Sequence, residues 1–169
     1  MEPLMDTMEQ FRPTSAEDAV RVDGLCAPRI EQYYHWMTIS RLLPEEQASQ
    51  YAYAVDYYVR DYVVDDLLEN PLCHRPGRIS TFGGSWYIQR TMEPTEAQLT
   101  THLEGISLWY QFLHAEGCLK ADDLAKALME AEDIAYYHER MHAFLELAGA
   151  GYREWLQSLV PVWVRRGEV

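Results

Sequence analysis

Cysteine is scarce in this chain, with three residues among 169, and no two of them form a Cys-x-x-Cys pair. An odd number at wide spacing argues against a disulfide framework and against a structural zinc site built from thiolates. We therefore expect reduced, buried thiols at Cys26, Cys73 and Cys118.

Long apolar runs and positive charge are lacking as well. No stretch reaches the length of a transmembrane helix, and residues 1–11 have neither the cationic start nor the apolar run of a signal peptide. Acidic residues outnumber Lys and Arg by 27 to 14, which gives a formal net charge of −13. This charge repels a phosphate backbone or an anionic membrane, so we expect a cytoplasmic protein without nucleic-acid or membrane partners.

Apolar and aromatic residues, by contrast, are plentiful. Hydrophobic residues make up 48% of the chain, which includes 12 Tyr and 5 Trp, and this content excludes a disordered chain. Apolar positions recur at helical spacing between turn signals, and no convincing strand is present. We predict an all-α fold, a compact bundle of about six to seven helices in a single domain over 14–160. A loose segment over 1–13 precedes this domain, and an apolar and basic tail over 161–169 follows it.

Turn signals set the predicted helix boundaries. A short helix is predicted over 15–24 and a second over 28–43, because Gly24 ends one pattern and Pro28 suits the first turn of the next. From 44 to about 69 the chain is periodic and rich in tyrosine, with apolar residues on more than one side, which is typical of a central helix. Further helices are predicted from about Ser80, from Thr95 to Gly117, from about Ala121 to Ala148, and over 152–159.

One string has a specific chemical meaning. Residues 138–142 read His-Glu-Arg-Met-His, the H-E-x-x-H pattern with which many metallopeptidases bind zinc. His138 and His142 project from the same side of a helix, and Glu139 could take a proton from metal-bound water. Glu154 could supply a third ligand if the chain turns back after residue 149. This five-residue resemblance to the zincin metallopeptidases implies a zinc-dependent hydrolase.

Other features of this stretch favour an ordinary packed helix. Arg140 places a fixed cation inside the pattern, where it would repel a metal and compete for the carboxylate. Apolar residues between Ile134 and Ala148 recur at helical spacing and form the natural core face, which leaves both histidines at its boundary. We therefore assign no catalytic residue and no cofactor, and we keep zinc as the alternative.

A second informative region, residues 71–92, contains not one Asp or Glu. Its arginines, which are predicted to contact an anion or a partner, are Arg75, Arg78 and Arg90. We favour pairing with the acidic faces of neighbouring helices or of a second subunit. Alternatively, they could bind a phosphate or carboxylate beside the free amides of the helix near Ser80. The Gly83-Gly84 pair lacks the flanking residues of a phosphate-binding loop.

The tail contains a short apolar run, Val162, Trp163 and Val164, after Pro161. Such a run is exposed unless it docks on its own domain or on a partner. We predict that it is an interface and that the protein forms a homodimer.

Between about Ala52 and Phe144, a tyrosine-rich helix and an Arg-flanked loop are followed by Trp86-Tyr87-Ile88, Thr100-x-x-Leu103, Trp109-Tyr110-x-Phe112-Leu113 and Gly117. This order of motifs resembles the small helical core-binding (SAM-like) module that precedes the catalytic domain of tyrosine recombinases. The resemblance implies a helical fold with a DNA-binding role. The acidic composition departs from the basic surface of that module, and the chain has no room for a catalytic domain, so we transfer no functional residue.

Three hypotheses of function remain. The first is a non-catalytic, acidic helical protein with an interaction or regulatory role that self-associates. The second is a zinc-dependent hydrolase that uses His138, Glu139 and His142. The third is a nucleic-acid-associated helical module that binds through its arginines at 75, 78 and 90. Aromatic content, the acid-free region and the apolar tail favour the first.

Overall fold

Helices and turns, without a strand, make up the residues that the computed structural model describes, which are 7–147 and 149–160. The predicted all-α class is therefore confirmed. Within these residues the α-helices are α1 (Ala19–Ile39), α2 (Glu45–Asp56), α3 (Arg78–Thr81), α4 (Tyr87–Arg90), α5 (Glu96–Ala115), α6 (Ala121–Ala131), α7 (Ile134–Leu145) and α8 (Tyr152–Gln157). Two π-helical segments join this series: Tyr57–Asp66 continues α2, and Phe82–Trp86 connects α3 to α4.

The first long helix is continuous where the sequence predicts a break. Gly24 and Pro28 both lie inside α1, so the predicted boundary between 24 and 28 is wrong. A proline inside a helix costs about 3 kcal/mol through a lost hydrogen bond and a clash. An unbroken apolar stripe offsets this cost, because burying each large apolar side chain contributes about 1.5–3 kcal/mol. The stripe comprises Val22, Cys26, Ile30, Tyr33 and Met37.

The tyrosine-rich helix changes its winding halfway along. α2 ends at Asp56, and the following segment Tyr57–Asp66 has the wider i→i+5 turn of a π-helix, which residue spacing does not predict. Its buried tyrosines meet the second π-helical segment. The ring centroids of Tyr58 and Phe82 are 5.0 Å apart, as are those of Tyr62 and Trp86. The two π-helical segments therefore share one aromatic cluster inside the core.

Helix α5 contacts α1 and α2 at a glycine, Gly105. The hydroxyl of Tyr33 on α1 donates a hydrogen bond to the carbonyl of Gly105 at 2.8 Å. A Cβ atom at residue 105 would lie 3.2 Å from the carbonyl oxygen of Tyr51 on α2. This close approach fixes the position of α5 beside α2.

The predicted helix over about 121–148 is divided in two. α6 ends at Ala131 and α7 begins at Ile134, so the expectation of one long helix is wrong. The hydroxyl of Tyr137, in the first turn of α7, donates to the carbonyl of Glu130 at 2.7 Å. It thereby satisfies a carbonyl that the end of α6 leaves without a helical partner.

Part of the predicted loose N-terminal segment packs on the domain. Residues 7–10 form a helical turn, Phe11 is buried, and the side chain of Asn70 donates to the carbonyl of Met8 at 2.8 Å. The predicted tail, 161–169, lies outside the described residues. In the described part of the chain, no helix combines the length and the hydropathy needed to cross a bilayer.

Candidate functional site

A groove of about 670 Å³ opens between α2, α4 and the first half of α5. It is larger than two other cavities, of about 350 and 340 Å³. Its lining residues, which define the aromatic groove, are Ser49, Gln50, Tyr53, Ala54, Tyr57, Tyr87, Thr91, Ala97, Gln98, Thr101 and His102. Ligand sites are commonly of this size and are lined by aromatic side chains with a few polar groups. The aromatic groove is therefore the candidate functional site.

Tyrosines from neighbouring helical segments form the walls of this groove. Tyr53 stands at the rim and is 79% exposed. Tyr57 meets Tyr87 of α4 edge to face, with ring centroids 6.4 Å apart. The small side chains of Ala54 and Ala97 leave room between these rings. The groove thus offers flat apolar faces with hydroxyl groups at their edges.

No residue that lines the aromatic groove is Asp, Glu, Lys or Arg. Charged residues make up 24% of the chain, so two or three of the eleven lining positions would carry a charge if the groove followed the average. The groove is therefore an uncharged surface on a strongly acidic protein.

His102 lies at the base of the groove, with its ring centroid 4.6 Å from that of Tyr87 and 5.8 Å from that of Tyr57. Burial lowers the pKa of His102 to about 4, and a hydrogen bond to the backbone of Ala54 opposes this shift only in part. The imidazole is therefore neutral near pH 7 and keeps one acceptor nitrogen. Its Nδ1 is buried and has no hydrogen-bond partner among the described residues.

A smaller cavity of about 350 Å³ adjoins the groove, since Tyr57 lines both. This acidic cavity is lined by Tyr57, Asp61, Asp65, Asp66, Trp86 and Arg90. Arg90 lies over the ring of Trp86, 4.3 Å from its centroid, and 3.8 Å from the carboxylate of Asp66. Burial and the neighbouring carboxylates raise the pKa of Asp61. Negative charge therefore exceeds positive charge in this cavity.

The two histidines of the H-E-x-x-H string face α5. Nε2 of His142 donates to the carboxylate of Glu96, which also lies 3.8 Å from Nδ1 of His138. Nε2 of His138 shares a 2.8 Å hydrogen bond with the hydroxyl of Thr100. The hydrogen bond from His142 is the main cause that lowers the pKa of Glu96. The carboxylate beside both imidazoles thus belongs to Glu96 and not to Glu154. Glu96 is 46 residues from His142 in the sequence, so a local motif does not reveal the pair.

Arg140 lies on the opposite side of α7. Its Nε donates to the carbonyl of Gly84 at 3.0 Å, and its guanidinium lies 4.2 Å from the ring centroid of Trp155. The expected repulsion between Arg140 and a metal at the two histidines is therefore wrong. Glu139 is exposed. Across residues 7–147 and 149–160, no group of three His, Cys, Asp or Glu side chains is arranged to hold a metal ion.

The arginines of the 71–92 region contact acidic residues of their own chain. Nε of Arg75 donates to the carboxylate of Glu69 at 2.7 Å, and Arg90 lines the acidic cavity. Arg78 is 1% exposed; it donates to Glu69 at 3.1 Å and to the hydroxyl of Tyr110 at 2.9 Å. Arg78 is therefore a core residue that an external anion cannot reach.

Gly83 and Gly84 permit close packing in the second π-helical segment. A Cβ atom at Gly83 would lie 2.9 Å from the ring of Tyr137, and one at Gly84 would lie 2.7 Å from the side chain of Leu159. The pair thus allows α7 and the residues after α8 to lie against this segment. These contacts fill the space that a phosphate would need.

No protein-family model, no curated protein and no solved structure matches this chain. The resemblance to the recombinase core-binding module therefore stays a prediction. The geometry of the aromatic groove is the basis on which a function can be proposed.

Proposed function

We propose that the protein is a non-catalytic interaction protein that self-associates, and that the aromatic groove recognises an uncharged aromatic group of its partner. The observation that carries this proposal is the absence of a charged side chain among the eleven residues that line the groove. The centres of protein interfaces are depleted in charged residues and enriched in aromatic ones, and this groove has both properties.

Exposed apolar side chains at the edge of the groove support the same function. Tyr53 is 79% exposed, and Met92, which follows the lining residue Thr91, is 99% exposed. Exposed apolar side chains beside an apolar groove are typical of a surface on which a partner binds. Tyrosine and methionine are also residue types that interfaces favour.

Polar side chains in the lining add a preference for a hydrogen-bond donor. The amide oxygens of Gln50 and Gln98 can accept hydrogen bonds, and burial holds the pKa of His102 at about 4, so its imidazole presents no positive charge near pH 7. An indole, whose ring N–H donates, suits both the aromatic walls and these acceptors.

The proposal is tested with two small probes, indole and N-methylindole, in calorimetric titrations of the full chain. Both probes are flat and uncharged, but only indole has an N–H donor. We expect indole to bind more tightly than N-methylindole by roughly threefold to tenfold, which is the net worth of one hydrogen bond.

Two alanine substitutions provide a matched pair for this titration. Ala97 lines the groove on α5, whereas Ala125 lies on α6, and both residues are exposed. Ala97→Glu brings a charge into the groove and is expected to abolish indole binding, while Ala125→Glu leaves it unchanged. Binding that is equal in both variants, or absent from the unsubstituted protein, contradicts the proposal.

The alternative functions have less support. His142 is engaged with Glu96 and His138 with Thr100, in place of the open metal position that hydrolysis requires. For nucleic acid, the buried Arg78 cannot contact a phosphate, and the formal net charge of −13 opposes approach to DNA or RNA.

A further inference from the structure

The aromatic groove and the acidic cavity adjoin each other, because Tyr57 lines both. The first part is uncharged and aromatic. The second part carries three carboxylates and one guanidinium. A complementary polypeptide therefore needs an aromatic anchor for the groove and a neighbouring cationic side chain for the cavity.

The chain itself contains a segment with these properties. Residues 162–166 read Val-Trp-Val-Arg-Arg. We propose that segment 162–166 of a second copy docks in extended form on this surface, with Trp163 in the aromatic groove and Arg165 at the acidic cavity. This inference rests on the proposed function and names the partner.

The spacing within the segment fits the surface. In an extended chain, alternate side chains point the same way, so Trp163 and Arg165 face the surface together while Arg166 faces away. Their Cα atoms are then about 7 Å apart, so the two side chains can enter neighbouring cavities that share Tyr57 as a wall.

The geometry favours a second copy over the segment of the same chain. The amide of Val160 donates to the hydroxyl of Tyr136 at 2.9 Å, and Leu159 lies against Gly84. Trp86 follows Gly84 by two residues in the second π-helical segment, and its side chain points to Tyr57 on the opposite side of this segment. A helix with its side chains is about 10–12 Å thick. The three residues from Val160 to Trp163 span at most about 10 Å. This length is too short to carry Trp163 around the second π-helical segment to the aromatic groove of its own chain.

Reciprocal exchange of this segment gives a symmetric dimer with two identical contacts. The test is sedimentation velocity of the full chain at micromolar concentration. We expect the unsubstituted protein to be a dimer. Trp163→Ala, which removes the anchor, and Ala97→Glu, which closes the groove, are each expected to weaken the dimer by at least roughly tenfold.

Mixing these two variants distinguishes exchange from docking within one chain. Trp163→Ala keeps an intact groove, and Ala97→Glu keeps an intact segment. An equimolar mixture therefore restores one of the two exchanged contacts and is expected to form a heterodimer where neither variant associates alone. A segment that docks in its own groove gives no association in the mixture, and that result overturns the proposal.

Charge reversal tests the acidic cavity separately. Asp61 is exposed, so Asp61→Arg is expected to fold normally. Asp61→Arg and Arg165→Glu should each weaken the dimer, and the double variant should recover most of the loss, because the pair is attractive again. Arg166→Glu is the matched control and should have the smaller effect. Equal effects at 165 and 166, without recovery in the double variant, contradict the proposed orientation.

The outcomes separate this inference from the proposed function. A monomeric unsubstituted protein, or a dimer that Trp163→Ala leaves intact, overturns the assignment of segment 162–166. If indole still binds to the unsubstituted protein and Ala97→Glu abolishes this binding, only the proposed identity of the partner is wrong. If indole also fails to bind, the proposed function falls with it.

Discussion

The carboxylate of Glu130 accepts a hydrogen bond from the backbone amide of Ser80 across 3.1 Å inside the core. The same carboxylate accepts from the Ser80 hydroxyl at 2.9 Å and from the amide of Gly77 at 3.1 Å. Glu130 belongs to α6, yet it caps the first turn of α3, whose own N-cap residue, Gly77, has no side chain. The fully buried ring of His74 brings Nε2 within 3.2 Å of this carboxylate. A distant acid therefore fixes the start of the helical segment that ends at the aromatic groove.

Replacing Glu130 should destabilise the whole domain. Glu130→Ala leaves the buried amide of Ser80 and the half-buried amide of Gly77 without this partner, and we expect the free energy of unfolding in urea to fall by about 2–4 kcal/mol. Glu130→Gln keeps one acceptor oxygen and should cost less. The exposed neighbour Glu132 is the control, because Glu132→Ala should change the free energy by at most about 0.5 kcal/mol. Equal losses at 130 and 132 would show that the cap is unimportant.

Two glycine-to-alanine substitutions should shift stability in opposite directions. A Cβ atom at Gly24, inside α1, meets nothing within 4 Å, so Gly24→Ala should raise the free energy of unfolding by about 0.5–1 kcal/mol. At Gly83 the new Cβ would lie 2.9 Å from the ring of Tyr137, so Gly83→Ala should lower it by about 1–3 kcal/mol. Thermal and urea unfolding measure both. A stabilising Gly83→Ala would mean that α7 packs more loosely against the second π-helical segment.

Buried His102 should make the protein less stable in mild acid. Its folded pKa is lowered to about 4 from the usual value of 6.5, because burial disfavours the imidazolium. Between these values the unfolded chain binds a proton that the folded chain does not, so stability falls as the pH decreases from 6.5 to 4. The loss is on the order of 2–3 kcal/mol. In His102→Gln this part of the pH dependence should disappear. Parallel stability curves for the two proteins between pH 4 and 6.5 would show that His102 is more exposed than the structure has it.

Asp23 should have the opposite pH dependence. Burial and the adjacent carboxyl of Asp65 raise the pKa of Asp23 to about 6 from the usual value of 3.8. Between these values the folded chain keeps a proton that the unfolded chain releases, so this group lowers stability as the pH rises and its penalty is complete above pH 6. Asp23→Asn should therefore raise the melting temperature at pH 7 and leave it unchanged below pH 3.8. A lower melting temperature at pH 7 would mean that the attraction between Asp23 and Arg60, 3.5 Å apart, is the larger effect.

Residue spacing alone was sufficient to predict the helical class and much of the core. The row of Tyr51, Val55, Tyr58 and Tyr62 is buried, as the several-sided apolar pattern of this helix indicates. The three cysteines are free, and burial raises the pKa of the Cys26 thiol to about 12. Cys26 and Cys118 are buried as expected, but the expectation is wrong for Cys73, which is half-buried. These features depend on local periodicity and composition, which one sequence contains.

Features that depend on distant contacts could not be read from spacing. The π-helical turn from Tyr57 to Asp66 forms where two aromatic segments meet, and Pro28 is tolerated because its helix buries a continuous stripe. Glu96 reaches His142 from another helix. The aromatic groove was missed because its lining comes from three segments that are far apart in the sequence, and only the packing of the helices brings them together.

The most direct test of the aromatic groove as the recognition surface is a ¹H–¹⁵N correlation NMR titration of the labelled protein with indole. The proposal predicts that the shifted amides concentrate in three stretches, 49–57, 87–91 and 97–102, which line the groove. Shifts that concentrate instead around the cavity lined by Leu108 and Ile134, or no shift at all, would contradict it.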